Sequence, residues 1–258
     1  MRKIPLKHPA GFVMAAALAV SVGLNLRLYQ LCRTFYIREA RVRLDPVGTA
    51  DRTSTPSAPS GITVAVIGDS RARHWSMEPS DGIRFLNHGV GNQTTAQVLL
   101  RTDRALAESG ADAFLIEAGV NDLKVIPMMP ETRRKITREC IANLRKIASR
   151  LAASGKPVIV ATIFPCGEVP IARRPWWSAD VDAAVADVNQ AILAMDGRDG
   201  IRVFDAHKIL VGPDAMARAE YQMDQLHMNP RAYQALNHEL MPIIPRTSNA
   251  KPNSKTHE

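Results

Sequence analysis

Cysteine is scarce in this chain. The 258 residues contain three, Cys32, Cys140 and Cys166, and their separations match no metal-ligand spacing. An odd number also leaves no complete disulfide framework, so Cys140, expected on a helix, and Cys166, expected just after a strand, read as buried thiols. Several catalytic signatures are missing as well. There is no phosphate-binding G-x-x-x-x-G-K-[ST] loop, no H-E-x-x-H zinc helix and no G-x-S-x-G nucleophile elbow. Gly89-Val90-Gly91 lacks the third glycine of a dinucleotide loop and follows the second predicted strand instead of opening the first crossover. No internal repeat is present. Nucleotide-driven, zinc-dependent and ordinary α/β-hydrolase chemistries are thereby set aside.

An excess of one charge is also missing where it would matter. The formal net charge is +8, but residues 1–45 carry +6 of it and residues 246–258 the other +2. Residues 46–245 hold 22 basic and 22 acidic side chains and are neutral overall. The basicity belongs to the ends, which argues against a nucleic-acid-binding face.

The N-terminus reads as a targeting or anchoring element. Arg2, Lys3 and Lys7 precede an apolar run from Ala10 to Leu26 that only Ser21 and Asn25 interrupt. Such a run suits a signal peptide or a short membrane anchor. The small residues Ser21 and Gly23 make a weak cleavage site, and Gln30-Leu31 before Cys32 is no lipobox, so an uncleaved anchor is expected. Five arginines follow the run (Arg27, Arg33, Arg38, Arg41, Arg43), which by simple counting would keep the domain in the cytoplasm. A short basic tail before a large domain favours export, because long domains cross largely regardless of charge. The expected division is a basic tail (1–9), an anchor or signal segment (10–26), a stalk or linker (27–61), a catalytic domain (62–243) and a disordered tail (244–258). The linker composition is clearest in the Ser/Thr/Pro-rich stretch 46–61.

Within the domain, short β-branched runs alternate with helical stripes. Strands are predicted at Ile62–Ile67, Ile83–Leu86, Ala113–Glu117, Pro157–Ile163 and Ile201–Phe204. Helices are predicted over 131–154, where Ile136, Cys140, Leu144, Ile147 and Leu151 share a face, and over 178–195 with Ser178 as cap. A last helix has Asn229 as cap and Pro230 in its first turn, and 95–109 is a less regular fourth. This order predicts a three-layer α/β/α fold with a five-stranded parallel sheet. In such sheets ligands bind beyond the carboxyl ends of the strands.

Those ends carry a chemically coherent set of residues. Strand one runs into Gly68-Asp69-Ser70, and strand two into Asn87-His88-Gly89-Val90-Gly91-Asn92-Gln93-Thr94-Thr95. Strand three runs into Gly119-Val120-Asn121-Asp122, and Asp224-Gln225-Leu226-His227 precedes the last helix. Acyl transfer needs these types. A serine hydroxyl requires a base to take its proton, a neutral imidazole is such a base, and a carboxylate one turn away can fix its tautomer. The tetrahedral intermediate needs donors, which turn N–H groups and an Asn amide supply. No metal or organic cofactor is required.

The ordered set G-D-S, N-x-G-x-G-N-x-T-T, G-V-N-D and D-x-x-H resembles the SGNH/GDSL hydrolase family over roughly 62–243, a family whose fold is flavodoxin-like. The resemblance implies Ser70 as nucleophile and as one oxyanion donor through its own N–H, Asn121 as side-chain donor, and Asp224 and His227 as the other triad members. The glycine block departs from the pattern. Asn92 stands at the usual backbone-donor position with Gly91 just before it, so both remain candidates. Met228 and Ala232 replace the common proline and glycine of the last block without altering the chemistry.

The resemblance implies a carboxylic ester hydrolase. Acetylated cell-envelope glycan is the expected substrate, given an anchored, exported enzyme. Lipid or thioester hydrolysis, acyl transfer to a sugar hydroxyl, and non-catalytic glycan binding are the alternatives. Arg173-Arg174-Pro175-Trp176-Trp177, after strand four, reads either as a sugar-stacking or anion-gripping loop or as a loop anchoring itself on the domain.

Overall fold

The computed structural model describes residues 9–47, 61–77 and 82–244. The basic residues Arg2, Lys3 and Lys7, the Ser/Thr/Pro-rich stretch from 48 to 60 and the tail from 245 lie outside the described residues. The chain forms two compact units, Met1–Ala50 and Asp51–Glu258.

The first unit is one helix, α1, Pro9–Leu44. It does not stop where the apolar run stops. Leu, Arg, Gln, Glu and Ala beyond Leu26 are good helix formers, an Arg43–Glu39 pair at 2.6 Å bridges one turn, and the helix ends shortly before Pro46. Its 36 residues span about 54 Å at 1.5 Å per residue, more than the roughly 30 Å of a bilayer's apolar core. Phe12, Leu18, Leu24 and their neighbours are exposed along it. Among the described residues it is the one helix long and apolar enough to cross a membrane.

The second unit is a three-layer sandwich. Its strands are β1 (Ile62–Gly68), β2 (Ile83–Gly89), β3 (Ala113–Glu117), β4 (Val158–Ala161) and β5 (Ile201–Phe204), all parallel, in the spatial order β2-β1-β3-β4-β5. The helices are α2 (Ser70–His74), α3 (Thr95–Leu100), α4 (Thr102–Ser109), α5 (Val120–Leu123), α6 (Arg133–Ala152), α7 (Asp180–Leu193), α8 (Ala206–Leu210) and α9 (Pro230–Leu240). Alternate strand residues feed two separate cores, as the two-residue period of a strand dictates. Ala65, Ile67, Phe114, Ile116, Val158 and Val160 meet the layer of α3–α7. Val64, Val66, Ala113, Leu115, Ile159 and Ala161 meet that of α2, α8 and α9, built around Trp75, Phe164 and Tyr233. Among the described residues, both cores draw only on positions between Ile62 and Ile244, so this unit has an interior of its own.

The architecture is the predicted one, with local differences. The segment 95–109 is two helices, broken at Arg101, whose buried side chain leaves the helix to bond Gly68 and Gln93. β4 is shorter than Pro157–Ile163, because the Ile163 N–H turns away to Asn189 Oδ1 at 2.7 Å. α7 starts after Ala179, not at Ser178, whose hydroxyl instead bonds the Asp180 side chain at 3.2 Å. Asn229 does cap α9, accepting from the Ala232 N–H at 3.1 Å.

Candidate active site

The sheet order reverses direction between β1 and β3, which opens a crevice beyond their carboxyl ends. Ser70 sits on one side of it and Asn121 on the other. β1 and β3 can approach this closely because Gly68 lies against the Glu117 backbone; a Cβ there would run into the Glu117 carbonyl. Gly89 likewise lies against the backbone of Arg73, which lets α2 settle over the end of β2. Asp69 then caps α2 by accepting from the Arg71 N–H at 2.8 Å, which places Ser70 at the first helical position, half-buried at the rim.

The Asp224–His227 turn arrives from the other end of the chain. Asp224 Oδ1 accepts from the N–H groups of Leu226 (2.7 Å) and His227 (2.8 Å), folding the turn tightly around the carboxylate. Its other oxygen lies 2.9 Å from His227 Nδ1, and His227 Nε2 lies 3.0 Å from Ser70 Oγ. With Nδ1–H donating to the carboxylate, Nε2 is the lone-pair nitrogen and the serine hydroxyl is its donor. Partial burial works against the charge on Asp224, but hydrogen bonds from the His227 ring and from the Leu226 and His227 N–H groups outweigh it. The carboxyl is held below its ordinary value.

A buried arginine fixes this turn from below. Arg71 donates through Nε to the Leu226 carbonyl at 2.8 Å, and through its terminal nitrogens to Phe164 O at 2.9 Å and Pro165 O at 3.4 Å. Tyr233 of α9 closes on the Arg71 carbonyl at 3.0 Å. Arg101 does the same for the glycine block, bonding Gln93 Oε1 at 2.6 Å and Gly68 O at 2.8 Å. In that block the Gln93 N–H returns to Val90 O at 3.4 Å, closing a turn in which Asn92 adopts φ 64°. Asn is among the few non-glycine residues that enter this region at low cost.

Asn121 is buried on α5, its Nδ2 donating to Gln93 O at 3.0 Å and its Oδ1 accepting from Lys124 Nζ at 2.6 Å. Asp122 ties the same two loops together by accepting from the N–H (2.8 Å) and hydroxyl (2.6 Å) of Thr95. Burial raises its carboxyl to about 6, with the Thr95 bonds opposing. Asp69 and Glu117 are both fully buried, and among the described residues Asp69 Oδ2 and both Glu117 oxygens make no hydrogen bond of ordinary geometry. Burial first, and the Asp69 charge second, push the Glu117 carboxyl well above the carboxylate range, and burial raises Asp69 as well.

The structure thus brings Ser70, Asp224 and His227 into one hydrogen-bonded chain, and sets Gly91 and Asn92 in the turn after β2 and Asn121 on α5. Arg71, Arg101, Glu117 and Lys124 were not singled out from sequence. All four are charged side chains of ordinary local context, and only the fold reveals that three are buried and the fourth bonded to Asn121. The Arg173–Trp177 segment forms a 3₁₀ turn, Ile171–Trp176, beside the triad: Arg173 reaches Gln225 at 3.4 Å, Trp177 packs on the core and Trp176 is 65% exposed. Cys140 and Cys166 are buried free thiols.

The parallel five-stranded sandwich thus holds a serine–histidine–carboxylate hydrogen-bonded chain at its switch point. The sequence profile of the GDSL-like lipase/acylhydrolase family matches residues 62–235, and the chain belongs to this family of hydrolases. No curated protein sequence matches it. Similar solved structures include a GDSL-like lipase from Bacteroides thetaiotaomicron, 19% identical, with 70% of this chain and 86% of that one covered at a TM-score of 0.56. A member of the lipolytic G-D-S-L family from Veillonella parvula is 16% identical, covering 71% and 98% at 0.52. A variant of an acetyl-xylooligosaccharide esterase from Geobacillus is 19% identical, covering 71% and 94% at 0.52. At these identities the likeness is one of fold.

Proposed function

We propose that the chain is a carboxylic ester hydrolase in which Ser70 is the nucleophile, His227 the base and Asp224 the residue that orients it. The observation that carries this reading is the unbroken chain Ser70 Oγ–His227 Nε2 (3.0 Å) and His227 Nδ1–Asp224 Oδ2 (2.9 Å). Ser70 Oγ attacks the ester carbonyl carbon while its proton passes to His227 Nε2. The resulting oxyanion is met by the Ser70 N–H, by a backbone N–H of Asn92 or Gly91, and by Asn121 Nδ2. The protonated His227 gives its proton to the leaving alkoxide as the C–O bond breaks, releasing the alcohol and leaving acyl-Ser70. Water then attacks the acyl carbon, His227 takes its proton and returns it to Ser70 Oγ, and the carboxylic acid departs. No step calls on a metal or organic cofactor.

The substrate we assign is an acetylated glycan of the cell envelope, with α1 as an uncleaved anchor and the domain exported. The exposed Trp176 beside arginines Arg173 and Arg174 at the rim suits a sugar ring, and α1 suits attachment near an envelope surface. One of the similar folds acts on an acetyl-xylooligosaccharide, an ester of the same chemical kind.

The test is hydrolysis of p-nitrophenyl acetate by residues 46–258, beside Ser70→Ala and with a fluorophosphonate probe. Turnover and labelling that both disappear in Ser70→Ala are expected; a folded wild type that does neither overturns the triad. Acetate release from purified envelope polysaccharide tests the substrate, and none released would sink the glycan assignment while leaving the esterase standing.

A further inference from the structure

We propose that Lys124 is a positioning residue for the oxyanion site, acting through Asn121. This rests on the ester-hydrolase reading above. A side-chain amide serves an oxyanion only if its nitrogen faces the reacting centre, and the two amide orientations occupy the same space. Two neighbours decide between them here. Lys124 Nζ, which has only donors, lies 2.6 Å from Asn121 Oδ1, and the Gln93 carbonyl, which only accepts, lies 3.0 Å from Nδ2. Flipping the amide would set donor against donor at Lys124 and acceptor against acceptor at Gln93. Gln93 takes one Nδ2–H, and the other is the one available to the oxyanion.

The contact also changes the donor's strength. A charge-assisted bond to Oδ1 draws electron density toward the oxygen end of the amide and leaves Nδ2–H a better donor. The effect matters because Asn121 is buried, where hydrogen bonds polarise one another more than in water. The sequence builds the contact locally: Asn121 and Lys124 are three apart on the single turn of α5, and the Lys124 N–H closes that turn on Val120 O at 2.9 Å. Asp69, at the N-cap of α2 just after β1, is a charged group that the same ammonium acts on. A lysine that merely knitted α5 would affect stability and not the transition state.

The experiment uses residues 46–258, which have an interior of their own without α1, and p-nitrophenyl acetate. Lys124→Met is expected to lower kcat about tenfold, less than the loss of a whole oxyanion donor, with KM within twofold. Lys124→Arg, which keeps a cationic donor, is expected to recover most of the loss. In an Asn121→Ala background, Lys124→Met should cost nothing further, since the lysine has nothing left to act on. Wild-type kcat in Lys124→Met, or the same tenfold loss with Asn121 already gone, overturns the proposal. The side-chain amide protons of Asn121, followed by ¹⁵N NMR, give a readout independent of turnover. They are expected to shift in Lys124→Met, and unmoved resonances overturn the proposal as well. If those resonances shift but wild type hydrolyses no ester, the ester-hydrolase reading has failed and the catalytic role of Lys124 falls with it.

Discussion

Arg71 Nε donates to the carbonyl of Leu226 at 2.8 Å, joining the residue after Ser70 to the residue before His227 across 155 positions of chain. Ser70 and His227 are therefore held together through their neighbours as well as by their own hydrogen bond. The guanidinium is fully buried, and its charge offsets the equally buried carboxyl of Asp69.

Arg71→Met is expected to be costly for this reason. It leaves the Leu226, Phe164 and Pro165 carbonyls without the Arg71 donor and removes the larger of the two cationic influences, Arg71 and Lys124, on the buried Asp69 carboxyl. Removing one partner of a buried charge pair costs about 3–5 kcal/mol. Chemical denaturation of residues 46–258 checks this, and a loss below about 1 kcal/mol would show that water replaces the guanidinium at little cost. Arg71→Lys keeps the charge but not the three-carbonyl fork, so it should recover stability more than kcat.

The buried pair Asp69–Glu117 predicts a pH dependence of stability. Burial, then the charge of Asp69, raise the Glu117 carboxyl well above its ordinary 4.5. A raised acid is favoured by folding in its protonated form. Its contribution is thus fully present below pH 4.5 and is lost as pH rises through the folded-state value. Gln at this position mimics the neutral acid and cannot ionise. Glu117→Gln should therefore match wild type at pH 4 and exceed its Tm increasingly toward pH 8. Parallel Tm curves across that range would show that Glu117 does not hold a proton for Asp69. Glu117→Ala, which cannot ionise either but also cannot donate to Asp69 Oδ2, should be less stable than Glu117→Gln by about 1–3 kcal/mol at every pH.

What could be read from sequence follows a physical division. β1 and β3 are legible because both their faces are covered, which makes Val64–Ile67 and Ala113–Ile116 continuous apolar runs. The D-x-x-H turn was legible because its contacts are three residues apart. Arg71, Arg101 and Glu117 were not, because their partners lie far along the chain or on a neighbouring strand. The break at Arg101 is the same problem in the fold: helix propensity gave no reason to stop there, and the tertiary bonds to Gly68 and Gln93 did. The continuation of α1 to Leu44 is local information, carried by the good helix formers after Leu26, and the end of the apolar run does not mark the end of the helix.

Asn92, at φ 64°, separates backbone from side-chain roles. If the donor is the N–H at this turn, the side chain matters only through the conformation it allows. Asn92→Val, β-branched in a left-handed position, should lower both Tm and kcat, at a strain of about 1–3 kcal/mol. Asn92→Gly should retain far more turnover than Asn92→Val. Equal, severe losses in both would instead assign the Asn92 side chain a contact with substrate.

Trp176 separates the chemistry from the choice of substrate. It is 65% exposed at the end of the turn whose Arg173 reaches Gln225, inside the Asp224–His227 turn. A large aromatic left in solvent there contributes nothing to the core, which Trp177 serves instead. Trp176→Ala should therefore leave Tm unchanged, and p-nitrophenyl acetate, too small to reach beyond the triad, should be hydrolysed at the wild-type rate. On an acetylated polysaccharide the same variant should lose kcat/KM by about tenfold, since stacking on an aromatic face contributes about 0.5–1.5 kcal/mol and its loss is compounded along a chain held in register. The two substrates must be run on one preparation, because the ratio of the two losses is the informative quantity. A ratio near one, with both substrates unaffected, would mean that Trp176 touches no sugar; with both reduced alike, that it supports the Asp224–His227 turn.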